Sequence, residues 1–386
     1  MEKRILFING HLNAGGVERA LVDILRHMDF EKYAVDLLLL EDTGDYVSEL
    51  PDEVHVLFRD IHHTYGSAAS SIRRCIAAQD WMCLRLRVLF LMEKLFGARV
   101  LKPAARILLG KHHYDCVIGF RPGICSDLAA YSVQADRKIT WWHHGVFNVT
   151  QPNYGRMCEK MDAVAVVSHA CKEMLQAELP EFSDRLVYVP NMLDADEIMR
   201  KATKSPYADR ALHIVSVGRL APEKHFENII PAAKALREAG TTFSWHIVGE
   251  GPERAKLEPI IAEHHLGDCV ILEGSKANPY PYMRYADLYV HPSYVESQGL
   301  TILEAMAFGI PCVVTKSRGP CEFIEDGING LLTEQTPESL TEKVLEILED
   351  KELYQRVREN TRCPERFSPE RVMEQVERLI DGGKIQ

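Results

Sequence analysis

VESQGLTILEAMAFGIPCV, residues 295–313, contains a turn, a helix and the start of a strand. Gly299 permits the tight turn. The apolar run from Leu300 is helical, stops at Gly309, and passes through Pro311 into the next strand. ADLYVHPS, immediately before it, reads as a buried strand whose loop carries Glu296. Two carboxylates, Glu296 and Glu304, with seven residues between them, therefore bracket a helix N-terminus.

That N-terminus is an anion site, because its first amides lack intrahelical partners and the helix dipole is positive there. A carboxylate beside a pyrophosphate repels it, so the two glutamates suit hydroxyl groups instead. Glu304, about one turn into the helix, would reach one sugar and Glu296 another. A pyrophosphate between two sugars is a nucleotide-sugar. Taken alone, the spacing also fits a helix cap or a solvated ion pair.

Working outward, the same rhythm of strand, loop and helix fills the chain. RILFING, YAVDLLLLE, HYDCVIGF, KITWWHHG and DAVAVVS are strand-like in the first half. ALHIVSVGRL, FSWHIVGEG, CVILEG, ADLYVHPS, IPCVVT and GLLT are strand-like in the second. Short apolar strands alternating with helices imply parallel sheets covered on both faces. A polar, proline-containing stretch near 190–210 separates the halves. The expected architecture is α/β, two Rossmann-like doubly wound domains facing a cleft, over 1–190 and 191–365. A last helix in 366–386 has the first domain as a candidate partner, which pattern alone does not decide. Ligands of such sheets bind beyond the carboxyl ends of the strands.

The 386 residues exceed one ordinary core and agree with two domains. A net charge of −11 argues against nucleic acid as a partner. Ten scattered cysteines without a C-x-x-C pair read as buried thiols of a reducing cytoplasm, and ligand-type residues show no zinc spacing. The amino-terminal apolar run is too short for a secretory signal, and no stretch reaches the roughly 18 apolar residues of a membrane span. The expected location is cytoplasmic, so the sequon Asn148–Val149–Thr150 carries no meaning.

Three further loops bear on the site. In VGRLAPEKHFENII, Arg219 and Lys224 follow a strand across a proline turn, as two cations that neutralise a diphosphate would. In GGVER, Gly15 and Gly16 let backbone approach a phosphate or sugar. VGEGPER approaches a dinucleotide fingerprint through Gly249 but has Arg254 at the third glycine position, which disfavours a nicotinamide site.

Together VGRLAPEKHFENII, VGEGPER, HPSYVESQGLTILEAMAFGIPCVVT and EFIEDGINGLL resemble the retaining glycosyltransferases of family 4, which have the GT-B fold. The resemblance is close over roughly 210–335. It is looser in the first half, at GGVERALVDIL, WWHHG, VVSHACKEML and VPNMLD. It implies that Arg219 and Lys224 hold the donor diphosphate and that Glu304 binds the ribose. Glu296 would contact the transferred sugar, Gly299, Leu300 and Thr301 would offer backbone contacts, and Gly249, Ser297 and Gln298 would also line the donor. Gly16 would sit against the donor phosphate. His143 would be the active-site histidine, with His144 as the alternative. Where many relatives have Gly-Phe or Ser-Phe, this chain has Ser297–Gln298, so the donor sugar does not carry over.

The activity implied is transfer, with retained configuration, from a nucleotide-sugar to a glycan or lipid-linked acceptor in cell-surface polysaccharide assembly. UDP is the expected nucleotide. With Arg219 and Lys224 at the leaving group, no metal is required. The Asp194–Ala195–Asp196 string reads as a helix cap. A nucleotide-sugar epimerase and an inactive binding subunit are the alternatives.

Residues 72–111 hold nine Lys and Arg against two acids. Leu84, Val88, Leu91 and Leu95 share a helical face, interleaved with Trp81, Phe90 and Phe96. Basic amphipathic helices bind anionic membrane surfaces, so peripheral contact with the inner leaflet is expected here; a core helix with a solvated basic face is the alternative.

Overall fold

The computed structural model describes residues 2–13, 15–41, 44–64, 66–144, 154–208 and 211–383. The sequon at 148–150 lies outside them. The chain forms two compact units, 1–192 together with 370–386, and 193–369.

In the first unit, β1 (Lys3–Asn9), β2 (Tyr33–Leu39), β3 (His55–Phe58), β4 (His113–Gly119), β5 (Gln134–Trp142), β6 (Ala163–Val166) and β7 (Leu186–Tyr188) form a parallel sheet. Its order is β3-β2-β1-β4-β5-β6-β7. In the second unit, β8 (Leu212–Val217), β9 (Phe243–Val248), β10 (Val270–Gly274), β11 (Leu288–His291), β12 (Cys312–Thr315) and β13 (Leu331–Thr333) form another, ordered β10-β9-β8-β11-β12-β13. Both are doubly wound, and each order reverses once, at β1/β4 and at β8/β11. These reversals are where loops splay apart and open sheets bind ligands.

Strand alternation builds two apolar layers in the second unit. Ile214, Leu288, Val290 and Val313 pack on one face of the sheet. Val215, Val217, Tyr289, Cys312 and Val314 pack on the other, against the helix Leu300–Ala307. Continuous burial on both faces is what a central parallel strand requires.

The C-terminal helix Pro369–Asp381 belongs to the first unit. Val372, Val376, Leu379 and Ile380 join that unit's core. Lys3 and Lys32 bond to Asp381, Lys32 also to Glu377, and Arg137 Nε donates to the Leu379 carbonyl at 2.7 Å. The chain therefore returns to its first unit four residues later than the expected boundary.

Among the described residues no helix is long and apolar enough to cross a membrane. Eight cysteines are buried, while Cys321 is exposed and Cys363 half-buried. Asp194 caps the helix Ala195–Lys201, accepting from the Glu197 amide at 2.8 Å. His63, Asp80 and Cys83 do cluster, with ligand-type atoms within 4.8 Å, which sequence spacing did not show. Folding already employs them: Asp80 caps the helix Trp81–Phe96 and accepts from His63, and the Cys83 thiol donates to the Asp60 carbonyl.

The basic stretch breaks into the helices Ala68–Ala77, Trp81–Phe96 and Ala104–Leu109. Its open apolar face differs from the expected one. Trp81, Val88, Met92, Leu95 and Phe96 are exposed, whereas Leu84 and Leu91 are half-buried. Arg87, one of the nine cations, is buried, with its guanidinium on the Gly66 carbonyl at 3.1 Å.

Candidate functional site

The second unit gathers the expected donor residues at its β8/β11 reversal. The loop after β8 is pinned by backbone. Leu220 N–H donates to the Glu250 carbonyl at 2.9 Å, and Glu253 N–H to the Leu220 carbonyl at 3.0 Å. This contact explains Gly249. A Cβ there would lie 1.9 Å from the Gly218 oxygen, and one at Gly251 2.2 Å from the Leu220 oxygen. The geometry thus gives Gly249, expected as a donor-binding residue, the job of seating the Arg219 loop. Further on, His225 adopts a left-handed conformation (φ 47°) and stacks on Tyr294 at 3.9 Å, and Asn228 donates to the Tyr294 hydroxyl. The loops after β8 and β11 are thereby clamped together.

Within that clamp Lys224 forms a salt bridge with Glu296. Glu296 also faces His291 Nε2 at 2.6 Å. The two side chains of the ion pair are 20% and 11% exposed, so both are largely withdrawn from water. Burial pushes the Glu296 carboxyl up, but Lys224 and His291 outweigh it and hold the group well below the carboxylate range. Burial lowers His291, against the opposing pull of that carboxylate. Glu296 is therefore an ionised, acceptor-only group beside the imidazole. Arg219, by contrast, reaches outward at 71% exposure and pairs with Glu223 at 2.8 Å.

Glu296's loop leads into the helix Leu300–Ala307. Gly299 begins it in the left-handed region (φ 87°), without a side-chain cap. Its opening amides at Leu300 and Thr301 keep their character as an anion site. Ser297 lies against Gly319, where a Cβ would sit 2.3 Å from the Ser297 oxygen, and Gln298 is buried. Glu304, one turn into the helix, is buried with the Tyr280 hydroxyl 3.4 Å from its carboxylate.

Residues that the sequence did not single out complete this site. His291 Nδ1 lies 3.0 Å from the Tyr289 hydroxyl, which lies 2.8 Å from Thr301 Oγ1. A histidine inside YVHPS looks like any strand residue, so no sequence signal marks it.

In the first unit, the candidates gather at the β1/β4 reversal and the end of β5. Gly16 opens the helix Gly16–Arg26 after Gly15. Glu18 folds back onto that turn: a Cβ on Gly15 would lie 2.3 Å from its carboxylate. The phosphate position expected at Gly16 therefore faces a buried carboxylate of the chain itself. Arg121, following β4, lies 3.5 Å from Glu18, and His11 lies 3.7 Å from it. Neither Arg121, His11 nor Glu18 was foreseen. His143 is buried between Phe120 and Trp141, at ring distances of 4.9 and 6.3 Å. Burial, with His144 and Arg121 adding, pulls it down to about 3, so it acts as a neutral imidazole. His144 is the exposed member of the pair.

Residues 198–363 match the family model described as glycosyl transferases group 1. The alpha-D-kanosaminyltransferase of Streptomyces kanamyceticus is 34% identical over 52% of this chain and 55% of its own length. The N-acetyl-alpha-D-glucosaminyl L-malate synthase of Bacillus anthracis is 27% identical over 66% of this chain and 71% of its own. The chain thus spans about half of the first relative. Among solved structures, Anabaena Alr3699/HepE in complex with UDP-glucose superposes with a TM-score of 0.73 at 17% identity, covering 99% of this chain and all of that one. The fold is that of the GT-B glycosyltransferases, and the chain's relatives are glycosyltransferases.

Proposed function

We propose that the chain is a retaining glycosyltransferase that moves a sugar from a nucleotide-sugar, with UDP as the nucleotide, to a hydroxyl of a glycan or lipid-linked acceptor. The observation that carries this reading is the Lys224–Glu296–His291 constellation at the β8/β11 reversal, one loop away from an uncapped helix start and the buried Glu304. It pairs a cation and free-ended amides for a diphosphate with carboxylates for sugar hydroxyls. The matched family region, a relative named N-acetyl-alpha-D-glucosaminyl L-malate synthase, and neighbours solved with UDP and UDP-glucose support it.

In this mechanism the bond between the anomeric carbon and the diphosphate oxygen breaks first. Negative charge grows on the leaving phosphate, where Lys224, Arg219 and the amides of Leu300 and Thr301 stabilise it. Glu296, ionised throughout, orients the sugar through its hydroxyls, and Glu304 does the same for the ribose. The acceptor hydroxyl attacks from the face the leaving group vacates and gives its proton to the departing phosphate oxygen. These cations take the role that a metal has elsewhere, so transfer proceeds without one. His143 of the first unit is a buried, neutral imidazole. The exposed apolar residues of Trp81–Phe96, amid basic side chains, hold the protein on an anionic inner leaflet, beside a lipid-linked acceptor of surface-polysaccharide assembly.

A thermal-shift panel with UDP, GDP and ADP tests the donor site, because a ligand of the folded state raises the midpoint by mass action. UDP should raise it in the wild type and fail to do so in Glu304→Ala and Arg219→Ala. A folded wild type that responds to none of the three refutes the reading.

A further inference from the structure

We propose that His291 is a positioning residue for Glu296, linked through the Tyr289 hydroxyl to Thr301 at the helix start. The inference rests on the donor-site reading above. It concerns residues outside the E-x(7)-E pair and the two cations.

The geometry is a line of buried polar atoms. Glu296 Oε1, His291 Nε2, His291 Nδ1, the Tyr289 hydroxyl and Thr301 Oγ1 follow one another at 2.6, 3.0 and 2.8 Å across the imidazole. His291 and Tyr289 are 3% and 0% exposed, so both are shielded from bulk water. Proton counting then fixes the directions. Glu296 is bonded to Lys224 and ionised, and a carboxylate only accepts. Nε2 must therefore carry a hydrogen. The Tyr289 hydroxyl donates its one proton to Thr301 Oγ1, and its oxygen faces Nδ1 across 3.0 Å.

Two consequences follow. Glu296 is held from two sides, by a cation on a loop and by an imidazole on a rigid strand, so its carboxylate is fixed before any sugar arrives. Thr301, at the helix start, accepts the Tyr289 proton. One strand residue therefore connects the sugar-facing carboxylate to the helix that faces the diphosphate.

The test uses full-length protein, with UDP, UDP-glucose and UDP-N-acetylglucosamine as probes. UDP affinity is measured by calorimetry and donor turnover by UDP release to water. His291→Phe, which deletes both nitrogens, should slow UDP release about ten- to hundredfold, the range expected for losing a hydrogen bond to a charged group. UDP affinity should stay within about twofold. His291→Gln, which keeps an N–H near Nε2, should recover most of the rate. Tyr289→Phe removes one oxygen and should show the same split more mildly; it decides the matter if His291→Phe loses its fold. Where the wild type binds UDP but releases none from either donor, the same comparison is made on the affinity of the intact donors relative to UDP. Rates and relative affinities unchanged in all three variants, or UDP affinity falling in step with rate, overturn the proposal. A wild type that binds no UDP removes the donor-site reading itself.

Discussion

Lys224 and Glu296 are bound to each other across two loops that leave neighbouring strands, β8 and β11, at the point where the sheet reverses its order. This pair joins the cation expected for the leaving group to the carboxylate expected for the sugar. Removing one member of a buried pair strands the other, which costs about 3–5 kcal/mol when burial is complete and less here, where Lys224 is partly open. Lys224→Met should lower the thermal midpoint more than the double variant Lys224→Met/Glu296→Gln, in which no charge is left alone. Calorimetric scans of the three proteins measure the difference. A double variant less stable than the single one contradicts the pairing.

The pH dependence of that pair has a definite sign. Glu296 in the fold is held well below its unfolded carboxylate value, which is about 4.3. Its contribution is complete above that value and is lost only as pH falls through the folded one. The midpoint advantage of wild type over Glu296→Gln should therefore be flat from about pH 8 to 5.5 and shrink below about pH 4. An advantage that instead fades between pH 7 and 6 would assign the effect to a histidine.

Glycine substitutions separate close approach from flexibility. Gly249→Ala must displace the Gly218 carbonyl, and Gly319→Ala the Ser297 carbonyl. Each should cost about 2 kcal/mol or more, since backbone has to move. Gly319→Ala should also abolish the UDP-induced shift, because it disturbs the loop between Glu296 and Gly299. Gly267→Ala meets nothing within 4 Å and serves as the neutral control. Urea denaturation of the variants reads the costs.

The fold was open to sequence reading because parallel strands buried on both faces are unbroken apolar runs, and glycines end their helices. The strands β3 and β7 escaped notice because they are short, and His55 begins the first of them. Lys224, Glu296 and Glu304 were legible as candidates because loop chemistry at strand ends is a local pattern. His291, Arg121 and Glu18 were missed because their roles arise from neighbours distant in sequence. The face of Trp81–Phe96 was misplaced for the same reason: packing against the rest of the first unit, including the burial of Arg87, selected which apolar stripe stays outside.

That stripe carries the last prediction. Trp81, Arg85, Val88, Met92 and Leu95 recur at spacings of four and three, and all are exposed, with Trp81, Leu95 and the adjacent Phe96 at 61%, 77% and 69%. Arg73, Arg99, Lys102 and Arg106 are exposed around it. In a chain of net charge −11, such a local excess of cations beside open apolar residues suits an anionic lipid surface, where each basic side chain contributes about 1 kcal/mol and aromatic rings settle at the headgroup level. The protein should float with phosphatidylglycerol vesicles, stay in solution with phosphatidylcholine vesicles, and be released as salt rises. Arg85→Gln/Arg99→Gln should weaken partitioning about tenfold or more, and Leu95→Ser/Phe96→Ser by a comparable factor, while the UDP-induced thermal shift stays unchanged. Equal partitioning onto both lipids, or none onto either, would show the stripe to be an ordinary exposed surface. Loss of the UDP shift in these variants would mean that the stripe supports the fold and not the membrane.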